Sequence, residues 1–299
     1  MKRNVASGII YIVIGVVIVL FAFQYFQYKG TSKHPLITEV TNDLSGIDTL
    51  IIESSVTAIH ITETNDSVFS AHLEQSTSSP FTLLANVSSN KLTLEVAKQK
   101  PNFPFINLND IGKKVFGSKL LIQIPKHYNG NLNISTATGS TEIQNLNLKA
   151  IKLESTTGSV KLNNTKSNHI KLESTTGSIH VNDVMTDSLE AESTTGSIHL
   201  NNNSIAAFDV ESTTGSIHVS QDDILKGSKL SSTTGSVHVS LNNAPTSLNV
   251  TFETATGKPH IKKTGYNMIQ NSRDKYEFQF GSGETSLKVE TSTGSFHFE

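Results

Sequence analysis

The sequence predicts an all-β protein, a single-stranded β-solenoid with rungs of about 19 residues, preceded by one N-terminal transmembrane helix. Two observations predict the solenoid: a Thr-Gly step recurs at an almost constant spacing, and apolar residues alternate with polar ones on both sides of it. A short fixed period indicates repeats that bury their apolar side only by stacking on one another. The helix is predicted by the uncharged, mostly aliphatic residues 5–23.

The repeats are centred on eight glycines that we expect to lie at turns. Successive glycines are 19, 19, 19, 19, 20, 22 and 37 residues apart. They are Gly139, Gly158, Gly177, Gly196, Gly215, Gly235, Gly257 and Gly294. Glycine adopts a positive φ at little steric cost and also fits tight bends in which a Cβ would clash. We therefore predict that these glycines are structural turn residues, aligned along one edge of the stack.

Residues 170–183 (IKLESTTGSIHVND) show the pattern of one repeat. Apolar and polar side chains alternate before the glycine and again after it, which is typical of two strands that each bury one face. Asparagine and aspartate recur at the second corner, as in Asn163-Asn164 and Asn182-Asp183. A meander of hairpins is the competing interpretation. The nearly constant period favours a coil, because every turn of a coil needs the same length of chain.

Residues 1–29 are predicted to form an N-terminal transmembrane anchor. As a helix, the stretch 5–23 would extend about 28 Å, enough to cross the hydrocarbon core of a bilayer. Lys2 and Arg3 precede this stretch, so the positive-inside rule places the N-terminus in the cytoplasm and the C-terminal domain outside. A cleaved signal peptide is the alternative, but the residues after the apolar stretch offer no small-residue cleavage site. The expected location is the cell membrane, with a single pass.

The rest of the chain divides according to how well it follows the repeat. The predicted parts are a polar spacer at 30–45 and an extracytoplasmic β-solenoid domain at 46–299, with irregular first rungs at 46–130, regular repeats at 131–261 and irregular closing rungs at 262–299. The final rung returns to the repeat pattern and ends at Glu299 without an obvious cap. We therefore expect a bare strand edge at that end, which a protein must protect or use for assembly.

Composition and motifs argue against several function classes. The chain has no cysteine, which rules out disulfides, thiolate metal sites and cysteine nucleophiles. Residues 30–299 carry 21 Lys/Arg and 26 Asp/Glu without a basic run, so nucleic acid is not an expected partner. The motifs of serine hydrolases, zinc proteases, phosphate loops and dinucleotide folds are also missing from the sequence. We expect a protein that is not an enzyme and has no cofactor.

Stacking turns a repeated histidine into a column. Three residues after successive glycines stand Glu142, Lys161, His180, His199, His218 and His238, and later His260 and His297. The alternation predicts that this column faces outward. A metal-binding or pH-sensing stripe is one interpretation of His180, His199, His218 and His238. The other is a solvent-facing ladder copied by repeat duplication, which we prefer over a metal site because nothing supplies the usual third and fourth ligands.

A second column consists of glutamates four residues before the glycines. Its members are Glu154, Glu173, Glu192, Glu211, Glu253 and Glu290. Carboxylates at strand spacing suit calcium, yet the turns hold Thr-Thr-Gly-Ser where calcium-binding solenoids place Asp with Gly. Lys152 and Lys171 stand two residues before Glu154 and Glu173. The sequence therefore favours charge pairing between neighbouring rungs, with the two columns on opposite faces.

The run from 120 to 164 ends one strand in Ile-Pro and continues into repeats centred on Thr-Gly-Ser, and the later Gly281-Ser282-Gly283 leads into a last strand through Val289-Glu290. In these features the chain resembles a bacterial adhesin-like β-solenoid family, a domain of unknown function. Together with the N-terminal helix, the arrangement is similar to LiaG-type proteins of Firmicutes. That resemblance implies a β-solenoid and an association with the cell-envelope stress response. It implies no catalytic or ligand-binding residues.

We therefore expect a membrane-anchored module of the cell surface that acts as an adhesin-like binder or as an accessory of the envelope-stress response. A polar surface of Ser, Thr, Asn and His suits wet contacts with cell-wall glycan or envelope proteins. The alternative is a structural protein that self-associates through open solenoid ends. A solenoid polysaccharide lyase or hydrolase is a further alternative, although no repeat departs from the pattern to build a cleft of acidic and basic groups.

Overall fold

β-Strands make up the regular secondary structure of the residues that the computed structural model describes, which are 36–75, 81–98 and 118–299. The transmembrane anchor predicted at 1–29 lies outside these ranges. Within them, no helix is long and apolar enough to cross a bilayer.

The strands follow the chain as short segments separated by turns. They are β1 (Leu36–Asn42), β2 (Thr49–Ser54), β3 (Ala58–Thr64), β4 (Phe69–Gln75), β5 (Phe81–Ser88), β6 (Lys91–Lys98), β7 (Lys119–Pro125), β8 (Asn131–Thr138), β9 (Thr141–Gln144), β10 (Asn147–Thr157), β11 (Val160–Asn163), β12 (Lys166–Thr176), β13 (Ile179–Asn182), β14 (Met185–Thr195), β15 (Ile198–Thr214), β16 (Ile217–Gln221), β17 (Ser228–Thr234), β18 (Val237–Leu241), β19 (Ser247–Thr256), β20 (Pro259–Ile261), β21 (Tyr266–Asn271), β22 (Lys275–Gly281), β23 (Thr285–Thr293) and β24 (Phe296–Phe298).

Each regular repeat contributes one strand to each of two sheets, and the strands of neighbouring repeats pair in parallel. Sheet A runs in the spatial order β1, β4, β7, β3, β9, β11, β13, the first part of β15, β16, β18, β24 and β20. Sheet B runs β5, β6, β2, β8, β10, β12, β14, the second part of β15, β17, β23, β19, β22 and β21. Ile151 pairs with Ile170 and Ile179 with Ile198, so equivalent residues stack. The architecture is solenoid-like, and the hairpin meander is wrong for the regular repeats.

The core lies between the two sheets and is built from the inward residues of every rung. In the regular repeats these are mostly aliphatic side chains such as Ile170, Leu172 and Val181, all of them buried. The closing rungs differ because phenylalanines fill the interior there, with Phe252 and Phe296 fully buried. Aromatic side chains therefore replace aliphatic ones in the interior at this end.

The repeated glycines form the corner that leads from sheet B to sheet A. Two physical constraints require glycine at these positions. Gly158 and Gly177 have φ of 140° and 146°, a region that L-residues rarely adopt. Each glycine also lies against the backbone of the preceding rung, so that a Cβ on Gly177 would overlap the carbonyl oxygen of Gly158. Seven of the eight predicted turn glycines share the positive φ. Gly257 lacks it, but a Cβ there would overlap the Gly294 carbonyl oxygen.

The second corner of the regular repeats is built by residues that tolerate the left-handed conformation. Asn145, Asn164, Asp183 and Asn202 have φ between 43° and 60°. Asparagine and aspartate adopt this region more readily than other side chains because they hydrogen-bond locally. This corner explains why Asn and Asp recur at a fixed distance from the glycines.

The N-terminal end of the stack does not follow chain order. The rung formed by β2 and β3 lies between the β6–β7 rung and the β8–β9 rung. Antiparallel strands then cover this end, β5 on sheet B and β4 followed by β1 on sheet A. Residues 36–42, assigned to the polar spacer from the sequence, form β1. The spacer assignment is wrong for these residues because their pairing is decided by β4, a strand distant in sequence.

The C-terminal end shows the same departure from chain order. Strands β23 and β24 form a rung that lies between the β17–β18 rung and the β19–β20 rung. Backbone hydrogen bonds hold Glu299 to Val239 and Leu241. The expectation of a bare last rung at Glu299 is therefore wrong. The outermost strands of this end are the antiparallel β22 and β21 on sheet B and the three-residue β20 on sheet A.

Candidate functional site

Six histidines form one continuous stack on the outer face of sheet A, which we call the histidine ladder. In spatial order they are His180, His199, His218, His238, His297 and His260. Successive ring centroids are 4.9, 4.8, 4.7, 4.4 and 4.7 Å apart, and successive ring planes differ by 3–17°. The outward column predicted from the sequence is confirmed. Its order differs, because the rung that carries His297 is inserted before the rung that carries His260.

The environment of five ladder histidines lowers their pKa and so favours the neutral imidazole. Burial lowers the pKa of His180, His199 and His218, and a positive neighbour lowers it further, Lys161 for His180 and the preceding histidine for the other two. The pKa of His238 and of His297 is lowered first by burial and then by the preceding histidine, while Glu299 acts in the opposite direction on both. Two unit charges 4.7 Å apart repel by about 0.9 kcal/mol even in water. Protonation of one ring therefore opposes protonation of the next.

The rings are poorly arranged to share a metal ion. Because neighbouring rings are nearly parallel, their in-plane nitrogen lone pairs also run parallel and do not converge on one point, as a tetrahedral zinc site requires. Within the described residues no group of three or more His, Asp or Glu side chains is arranged to hold a metal. His180, His199, His218 and His238, the candidates from the sequence, are thus brought together as a stack and not as a ligand set.

The surroundings of the ladder are polar and, along its middle, uncharged. Serines stand two positions before His180, His199, His218 and His238, and asparagines or serines stand two positions after them, as Ser178 and Asn182 do around His180. The charged neighbours lie at the two ends. Lys161 and then Glu142 precede His180 in the column, while Lys262 and Glu299 form an ion pair of 2.7 Å beside His297 and His260.

The glutamate column lies on the outer face of sheet B, and lysines partly neutralise it. Along the stack its members are Glu95, Glu53, Glu154, Glu173, Glu192, Glu211, Glu290 and Glu253, with Ser135 and Ser231 interrupting the series. Lys171 Nζ lies 3.0 Å from Glu173 and 3.1 Å from Glu190. Lys229 lies 2.9 Å from Glu211 and 3.4 Å from Glu290. The predicted charge pairing between rungs is confirmed.

A shallow groove follows this column across six rungs of sheet B. Glutamates form one wall and exposed threonines the other, with Thr175, Thr194 and Thr213 at its centre. At the usual strand spacing, six rungs extend about 24 Å. Glu192 lies at the middle of the groove, and no lysine of the described residues forms an ion pair with it. The groove therefore offers a central carboxylate acceptor flanked by hydroxyl donors and acceptors.

Buried hydroxyls underlie the groove. Ser193, Ser212 and Ser232 donate hydrogen bonds of 3.0–3.1 Å to the carbonyl oxygens of Gly177, Gly196 and Gly215, each on the preceding rung. These bonds tie the groove floor to the glycine corner. The groove is thereby fixed by the same corner that sets the stacking of the rungs.

An asparagine ladder at the second corner is a feature that sequence reasoning missed. Asn182 Nδ2 donates to Asn163 Oδ1 at 2.9 Å, and Asn201 Nδ2 donates to Asn182 Oδ1 at 3.0 Å. A parallel series joins Asn164 to Asn145 at 2.8 Å. The recurrence of Asn at this corner could have indicated the ladder. Because the rungs stack in register, the repeated asparagines lie close enough to form side-chain hydrogen bonds.

The family of the chain follows from its repeat region. A family model described as Toastrack DUF4097 matches residues 47–298. The chain belongs to this family. The Toastrack match covers the rungs that carry both the histidine ladder and the sheet B groove.

Three solved structures align with most of the chain. A candidate adhesin from Bacteroides fragilis shares 13% identity and a TM-score of 0.54, covering 90% of this chain and 100% of its own. A candidate adhesin from Parabacteroides merdae shares 11% identity with a TM-score of 0.48, over 90% and 98% of the two chains. A candidate cell adhesion protein from Clostridium sporogenes shares 15% identity with a TM-score of 0.34, over 88% and 98%. No curated protein matches the chain.

Proposed function

We propose that this protein is a non-enzymatic binding module of the bacterial cell envelope, anchored by residues 1–29, that holds a linear glycan of the cell wall along sheet B. The observation that carries this proposal is the polar groove that crosses six rungs. Its hydroxyl and carboxylate groups repeat at the strand spacing and suit a polymer rich in hydroxyl groups. The adhesin-like protein of Bacteroides fragilis, which shares the fold, supports a role in binding.

Hydrogen bonding, and not apolar stacking, is the mode of recognition that the groove favours. Its lining consists of Ser, Thr and Glu side chains. Glu192 lacks a lysine partner among the described residues, so a glycan hydroxyl that donates to it competes only with water. Such wet contacts are individually weak but add along a polymer that spans several rungs.

The test is sedimentation of the purified full-length protein with isolated cell-wall sacculi. We expect Thr194→Arg, which places a long side chain in the groove, to weaken binding about ten-fold, equivalent to about 1.4 kcal/mol. Thr195→Arg is the matched control, because this exposed neighbour in the same strand does not line the groove. Equal binding of the two variants would contradict the proposal. Release of new reducing ends from the sacculi would contradict its non-enzymatic part.

The accessory role in the envelope-stress response belongs to the same proposal and rests on the resemblance to LiaG-type proteins. It predicts that a histidine kinase and a response regulator are encoded next to this gene and that wall-active antibiotics raise its expression. Transcript measurement after antibiotic treatment tests this role. Constant expression, with unrelated neighbouring genes, would remove it and leave glycan binding unaffected.

A further inference from the structure

The histidine ladder is a second extended surface, on the sheet opposite the groove, and glycan binding makes no use of it. Five centroid-to-centroid steps of 4.4–4.9 Å place six imidazoles in a row, about 24 Å long at strand spacing. His180 through His297 are half-buried and His260 is exposed. The row follows the stacking direction, so a ligand that contacts all of it must itself be extended.

The charges that face the ladder are few and confined to its ends. Beneath it lies the apolar core, where Ile179 and Val181 are fully buried. On its outer face no other element of the described residues packs against sheet A. The charged groups near it are Glu142 with His60 and Lys161 at one end, and Lys258, Lys262 and Glu299 at the other. His199 and His218, in the middle of the row, therefore have no carboxylate beside them to neutralise a proton, whereas the charge of Glu299 acts on His238 and His297.

Protonated rings in this row would act together as a line of positive charge. Their spacing of less than 5 Å is shorter than the screening length of about 8 Å at physiological ionic strength. In the free protein, repulsion between neighbours limits how many rings are charged at once. A polymer with regularly spaced negative charges would relieve that repulsion, so its binding and proton uptake must favour each other.

We infer that mild acid turns the histidine ladder into a binding surface for a linear phosphodiester polymer without bases. The rungs of His180, His199, His218 and His238 each present an imidazole between two neutral hydrogen-bonding side chains, as in Ser178, His180 and Asn182. Such a row of donors suits the non-bridging oxygens of a phosphodiester. Nucleic acid is disfavoured because the ring faces are stacked on each other and are not available to stack on bases. The sheet also carries no basic run beyond the ladder.

The probe is poly(glycerol phosphate), titrated into the purified full-length protein at pH 7.5 and pH 5.5. We expect binding to be about ten-fold tighter at pH 5.5, with a steeper dependence on salt because more phosphates are neutralised. Calorimetry in two buffers of different ionisation enthalpy should show net proton uptake at pH 5.5. Proton uptake is a readout that a merely structural role of the histidines would not produce.

Two variants of the ladder test whether these histidines are responsible. His199→Gln/His218→Gln and His180→Gln/His238→Gln should each reduce the gain at pH 5.5 to less than about three-fold. His169→Gln is the matched control, since His169 is exposed on sheet B and contacts Ser188 there. Thermal unfolding at pH 7.5 verifies that each variant is folded, and the second pair serves if the first does not fold.

Several results would overturn the inference. They are binding that does not change with pH, an equal gain in the ladder variants and in His169→Gln, and tighter binding of single-stranded DNA than of poly(glycerol phosphate). Binding of Zn²⁺ without binding of the polymer would also overturn it. Because Thr194→Arg alters only the opposite sheet, it should leave the gain at pH 5.5 intact. Failure of this inference is therefore distinguishable from failure of the glycan proposal.

Discussion

Replacement of Gly177 by alanine is the most direct test of how the rungs stack. The new Cβ would lie 2.6 Å from the carbonyl carbon of Gly158 and closer still to its oxygen. Both atoms belong to the backbone of the neighbouring rung, so no flexible side chain can move aside. The φ of 146° adds strain, because L-residues essentially do not adopt this region.

The expected cost follows from adding these two effects. Backbone strain contributes about 1–3 kcal/mol, and displacement of a packed neighbour contributes about 1–3 kcal/mol more. Gly46→Ala is the matched control, because Gly46 also has a positive φ, of 80°, but nothing lies within 4 Å of the Cβ position. We expect about 3–5 kcal/mol for Gly177→Ala and about 1 kcal/mol for the control.

Differential scanning calorimetry of the full-length protein measures the difference. For a domain of this size, each kcal/mol shifts the melting temperature by about 2–4 °C. Gly177→Ala should therefore melt roughly 6–20 °C below the parent, and Gly46→Ala only a few degrees below it. Equal shifts for the two variants would refute the argument, because φ alone would then account for the glycines and the contact between rungs would have no energetic role.

Four further predictions concern the histidine ladder, the charged column, the second corner and the last rung. Since burial lowers the histidine pKa in the folded state, unfolding takes up protons below about pH 6.5. The melting temperature should therefore fall between pH 7.5 and pH 5. The fall should be smaller in His199→Gln/His218→Gln than in the parent protein. Lys229→Met should cost about 0.5–1 kcal/mol at low salt and much less in 0.5 M salt, as measured by urea unfolding. Asn164→Ala should cost about 1 kcal/mol while Asn164→Gly costs less, because only glycine tolerates the left-handed φ better than asparagine. Deletion of 285–299 should expose core on both neighbouring rungs and produce aggregation on size-exclusion chromatography, whereas retention of a stable monomer would contradict the inserted position of this rung.

The regular repeats were predictable because every local signal in them agrees. Alternation around Gly177 determines which side chains face the core, and the constant period determines that equivalent residues stack. The outward positions of His199 and Glu192 follow from the same two facts. Local pattern and global fold thus specify one arrangement over this part of the chain.

The irregular ends were not predictable in the same way, because their pairing is non-local. Nothing near residues 36–42 in sequence indicates that they pair with β4. The placement of His297 before His260 likewise depends on which rung β24 joins, and the period of the repeats breaks before that strand. The groove was missed for a related reason: the sequence places Thr194 and Glu192 on one face, but the concavity between them depends on how the whole sheet bends.

The inserted position of β23 and β24 affects how the chain can reach its final structure. A coil with rungs in chain order can grow from one end as successive parts of the polypeptide become available. Here β19 gains its parallel neighbour only after β23 becomes available. The segment from β19 to β22 must therefore stay apart from the stack, or separate from it again, until residues 285–299 join. Completion of the stack therefore waits for β23 and β24, and a chain that lacks them has an incomplete stack that quality-control proteases can recognise.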